Sequence, residues 1–213
     1  MSKHLLRNVY LLAFATLGLS LILAYFLRNL GIYEWDYDPI LFMALITPLV
    51  IITALAVVIR KLPVSLIILL ASTAILTNAV FMAHMLYTYN LGHMTIAVVI
   101  AIAIFIGITL SPGMENQRLT KPAIGAIIVL LADLFALYLN ISLEFDEDSF
   151  TLGAIAVAAT LVLGLFTVKN IKLSSQNSEL GERPSISFFL TSSLLIYLQL
   201  IFVFIVLLFI NGH

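Results

Sequence analysis

The chain has 213 residues, 62% of them hydrophobic and only 10% charged, with a net charge of −1 and no cysteine. A mean hydropathy of +1.16 excludes a water-soluble fold. The missing thiols exclude disulfides, thiolate metal sites and thiol chemistry.

Apolar runs of about 20 residues, the length that crosses a hydrocarbon core about 30 Å thick, recur along the sequence. Peptide groups in that core find no water, so spanning segments must be helices or a closed barrel. Runs without strict alternation decide for helices. The expected fold class is an all-α integral membrane protein, a seven-transmembrane helix bundle forming one domain over residues 1–213. The expected spans are about 9–27, 39–59, 63–86, 91–110, 122–143, 149–168 and 186–210. The first run is too long for a signal-peptide core and lacks a small-residue cleavage site, so it counts as a span.

The second span opens on Pro39 and carries Pro48 at its middle. A proline there frees the carbonyl of Ala44 and kinks the helix, which makes Pro48 a candidate gating hinge; static proline kinks are common in membrane helices. The span closes on Arg60 and Lys61. Both read first as anchors that snorkel to headgroup phosphates. Arg60 is also a candidate lock, if it faces the bundle and pairs with a carboxylate or with helix C-terminal carbonyls.

The third span starts after Pro63 and places Thr73, Thr77 and His84 on one stripe. His84 lies roughly 31 Å from Pro63, at the outer interface. With His93 it flanks a short outer turn, and the two are candidates for sensing external pH. Two histidines without a third ligand do not define a metal site. An interfacial role beside Tyr87 and Tyr89 is the plainer reading.

The fifth span starts at Pro122 and holds Asp133, roughly 16 Å along and so near the bilayer midplane. An acid at that depth is costly and is a functional candidate by default. The plainer alternative is a protonated Asp133 hydrogen-bonded to a neighbouring helix. Asn140, seven residues on, extends the same stripe outward as a candidate ion or proton site.

The sixth span is rich in small residues (Gly153, Ala154, Ala156, Ala158, Ala159, Gly164), which allow close helix approach. A polar, Ser-rich loop is expected over about 169–185, mobile or partner-binding. The seventh span sets Thr191, Ser192, Ser193, Tyr197 and Gln199 among bulky apolar residues, a pattern suited to a bundle interior.

Threading seven spans puts Lys3, Arg7, Arg60, Lys61, Arg118, Lys121, Lys169, Lys172 and Arg183 on one face and only Arg28 opposite. Short basic loops stay cytoplasmic. The expected topology therefore has the N-terminus inside and the C-terminus outside. The outer face collects Glu34, Asp36, Asp38 and the acidic stretch Glu144, Asp146, Glu147 and Asp148. No phosphate-cradling loop, HExxH motif, nucleophile elbow or haem-ligating histidine pair is present, and the last span has no lysine for a retinal Schiff base. No enzymatic activity, cofactor, metal or nucleic-acid partner is expected.

The segment Leu6-Arg7-Asn8-Val9-Tyr10-Leu11-Leu12 resembles the opening of the bacterial branch of the Bax inhibitor-1 family. The likeness continues in the seven-span architecture and the basic pair closing the second span. It extends to Gly181-Glu182-Arg183-Pro184 leading into Ser193-Leu194-Leu195 and Gln199-Leu200-Ile201, similar to the family's last hairpin. The resemblance implies a prokaryotic plasma-membrane protein that binds an AAA membrane protease of the FtsH type and restrains it. In relatives with a pH-regulated calcium leak, acids in the sixth and seventh spans are locked by an arginine at the Arg60 position. Here those acids fall at about Thr167 and Ile196, which do not titrate, so the protease-modulator role is the better fit. Two alternatives stand beside it: a calcium or proton leak channel or transporter working through Asp133, and a structural subunit of a larger membrane assembly.

Overall fold

The computed structural model describes residues 5–31, 39–58, 62–88, 99–104, 106–107, 122–130, 149–179 and 185–211. Among them the regular structure is entirely helical: α1 (Leu5–Asn29), α2 (Pro39–Val58), α3 (Val64–Thr88), α4 (99–104 and 106–107), α5 (122–130), α6 (Ser149–Glu179) and α7 (Ile186–Asn211). Among the described residues, three helical stretches, Leu5–Asn29, Val64–Leu86 and Ile186–Ile205, are each long and apolar enough to cross a membrane. At 1.5 Å per residue, α1 and α3 reach about 37 Å, enough to cross a core of about 30 Å. The protein is a helical membrane protein.

The helix ends follow local chemistry. Gly31 takes φ 75°, and its N–H bonds the carbonyl of Arg28 at 3.0 Å, closing α1 in a left-handed turn that glycine enters without strain. The carbonyl of Pro63 accepts from the N–H groups of Leu66 and Ile67, and so starts α3. Ser185 caps α7: its Oγ accepts from the N–H of Phe188 at 3.1 Å and its carbonyl from that of Phe189. The backbone of α2 is helical on both sides of Pro48, which is half-buried.

Helix α7 is the axis. Every residue from Ser192 to Ile205 is buried, and 78% of its span lies inside the protein against 28% for α1 and 39% for α3. Helices α1, α2, α3 and α6 all pack on it, α1 also on α3 and α6, and α2 on α3. A helix that is apolar all round belongs in such a position. Helix α1 separates an inner face from an outer one. Along α1 the buried stripe is Leu5, Val9, Ala13, Leu17, Ser20 and Ala24, while Leu11, Leu19, Ile22, Tyr25 and Phe26 face outward. Bulky apolar residues on the outward face of α1, with Ala13, Ser20 and Ala24 among those at its contacts, suit a lipid surround, where dense packing and not water exclusion holds helices together.

Helix α6 departs from the sequence expectation. It runs 31 residues to Glu179, so the segment 169–179 is helix and not loop. The cause lies in its buried face: Leu163, Thr167 and Ile171 recur every four residues, and Ile171 is fully buried one turn beyond the expected end of the span. Lys169 and Lys172 are half-buried beside it, with flexible stems that extend the apolar surface. Helix α6 is about 46 Å long, roughly 16 Å more than the hydrocarbon core requires. Its small residues also divide: Ala159 and Gly164 are buried, whereas Ala158 is exposed.

Candidate functional site

Hydroxyl groups inside an apolar helix can donate to the carbonyl one turn back. Among the described residues these include Thr16 to Leu12, Ser20 to Thr16, Thr53 to Leu49, Thr73 to Leu69, Thr167 to Leu163 and Ser193 to Phe189, at 2.8–3.1 Å. These donors are satisfied within their own helix. The longer groups Asn78, Tyr197 and Gln199 instead reach across to neighbouring helices. All three are fully buried.

Two polar contacts result. In the first, the Tyr197 hydroxyl lies 2.6 Å from Ser20 Oγ on α1 and accepts from Asn78 Nδ2 on α3 at 3.2 Å. Each hydroxyl has one proton to give. Ser20 donates its proton to the Thr16 carbonyl at 3.1 Å, so Tyr197 donates to Ser20. The bonds therefore run in one direction, from the Asn78 amide through Tyr197 and Ser20 to the backbone of α1. In the second contact, Gln199 Nε2 on α7 donates to Thr167 Oγ1 on α6 at 3.1 Å. Thr167 passes its own proton to the Leu163 carbonyl at 2.9 Å.

Residues two apart on a helix point to nearly opposite sides. Tyr197 thus ties α7 to α1 and α3, while Gln199 ties its other flank to α6. The Ser187 hydroxyl also donates to the carbonyl of Leu62, just ahead of α3. With the Asn78–Tyr197 bond further along both helices, α3 and α7 run in the same sense. Both contacts are neutral, and each amide keeps one free end: Asn78 Oδ1 and Gln199 Oε1 are buried without a hydrogen-bond partner.

Two of the sequence candidates lie within the described residues. Pro48 lies in α2 and His84 near the end of α3, both half-buried. Arg60, His93, Asp133 and Asn140 lie outside the described residues. The Thr73–Thr77–His84 stripe is not the buried face of α3: Thr73 is exposed, and the buried side runs through Ile67, Ala74, Asn78, Met82 and Met85. Sequence reasoning ranked span residues by charge and so passed over Asn78 and Ser20. The available signal was depth: Asn78 is fourteen residues past Val64, about 21 Å along, where an amide also needs a partner. Among the described residues no three metal-ligating side chains come together.

Comparison of the chain with protein-family models, curated proteins and solved structures returns no match.

Proposed function

We propose that the chain is a non-enzymatic, multi-pass protein of a prokaryotic plasma membrane, Bax inhibitor-1-like in character, that binds and modulates a membrane protease complex of the FtsH type. The observation that carries this reading is the neutral contact between α6 and α7. The resemblance implies a titrating acid in each of these spans. Here the polar link is Thr167 with Gln199, a hydroxyl and an amide that hold their protons at any physiological pH. Such groups set helix register and leave the work to surfaces. Two surfaces suit a partner in the same bilayer: the bulky apolar outer face of α1 and the extension of α6 beyond about residue 168. The topology that accompanies this reading has the N-terminus and the α6 extension in the cytoplasm and the C-terminus outside.

The test is purification from native membranes in mild detergent, followed by mass spectrometry of what comes with the protein. Under this reading a membrane protease co-purifies, and loss of the protein changes the degradation rate of its membrane substrates. A strictly solitary protein with unchanged substrate turnover overturns it. The leak alternative rests on Asp133 and separates cleanly. Purified protein in liposomes then passes calcium or protons, and Asp133→Asn abolishes the flux; equal flux in both proteins, or none in either, removes that alternative.

A further inference from the structure

The junction on α7 has an unfinished end. Asn78 is fully buried, and its Nδ2 serves Tyr197 at 3.2 Å and the sulfur of Met82 at 3.7 Å. Its Oδ1 reaches no hydrogen-bond partner. Turning the amide over does not remove the problem. Oδ1 would then take the Tyr197 proton, Ser20 would turn its own from the Thr16 carbonyl to Tyr197, and the NH2 group would be the end left over. A buried amide end without a partner carries its desolvation penalty uncompensated, and the neighbours one turn away on α3, Ala74 and Met82, are both buried and have no side-chain donor to offer it.

We propose that the free end of the Asn78 amide binds an internal water molecule, so that the Ser20–Tyr197–Asn78 junction is a hydration site inside the bundle. Water suits both orientations of the amide, because it gives or takes a hydrogen bond, whereas a cation suits only the oxygen. A cation would also bring a charge to which the described interior offers no carboxylate. Met82, unbranched and adaptable, keeps its sulfur beside the same amide and so reports on what binds there. Gln199 Oε1 lies on the opposite flank of α7 and does not share this guest.

X-ray radiolytic footprinting of the full chain in detergent tests the proposal, because hydroxyl radicals form from bound water where it sits. Met82 and Met85 are matched probes, on one helix with exposures of 0% and 3%. A water at Asn78 makes Met82 convert to its sulfoxide several-fold faster than Met85, despite equal burial. In Asn78→Leu, which removes the polar end, the Met82 rate falls to that of Met85. Equal rates at the two methionines in the unmodified protein overturn the proposal, whether or not the variant folds. So does a fast Met82 that stays equally fast in a folded Asn78→Leu protein.

Discussion

Replacing Tyr197 by Phe removes one oxygen from the centre of the bundle and leaves the ring in place. Two hydrogen bonds go with it, the one of 2.6 Å to Ser20 and the one of 3.2 Å from Asn78. The losses differ in kind. Ser20 keeps its donation to the Thr16 carbonyl and loses only a donor to its lone pair. Asn78 keeps the weak contact to Met82 sulfur and gains a buried N–H with no oxygen to receive it. A stranded buried group costs about 1–3 kcal/mol in water-soluble proteins. Interhelical hydrogen bonds in a membrane protein average about 0.6 kcal/mol with a maximum near 1.7, because helices separated in lipid find other partners. Two bonds of that kind give an expected loss of about 1–2 kcal/mol for Tyr197→Phe. Reversible unfolding in mixed detergent micelles measures it, and a cycle with Ser20→Ala isolates the pair. The double variant is expected to be less destabilised than the sum of the single ones by about 0.5 kcal/mol or more. A Tyr197→Phe protein as stable as the original, with zero coupling to Ser20, refutes the three-helix junction.

Three further outcomes are expected, two from the packing and capping and one from the proposed topology. Ala159→Leu overpacks the buried face of α6 and is expected to cost about 1–3 kcal/mol, while Ala158→Leu, on its exposed side, leaves stability within about 0.5 kcal/mol; thermal unfolding of the two variants tests the orientation of the helix. Ser185→Ala removes the oxygen that caps the Phe188 N–H at 3.1 Å and is expected to cost about 1 kcal/mol, read as a lower unfolding midpoint, with Ser185→Asp keeping the original value. Reporter fusions at position 3 and within 174–180 are expected in the cytoplasm and one at 213 outside, and reporters at both chain ends on one side would show a miscounted span.

Much of the architecture is written locally. Each helix in a bilayer must satisfy its own peptide groups, so apolar length alone announces helices, and prolines and Ser185 mark where several begin. The polar residues scattered through α7 likewise announced an interior helix, since an amide or phenol there needs protein partners. The inward faces were a different matter. In lipid a leucine is as content outside as inside, so α2 and α7, apolar on every side, carry no stripe that names their neighbours. Asn78 and Ser20 are nearly sixty residues apart in sequence and over a hundred from Tyr197, and nothing local pairs them. Only packing α1 and α3 against α7 brings the three together. Tertiary contact also decided the fate of 169–179, where serines and lysines read as loop and the burial of Ile171 carries the helix onward.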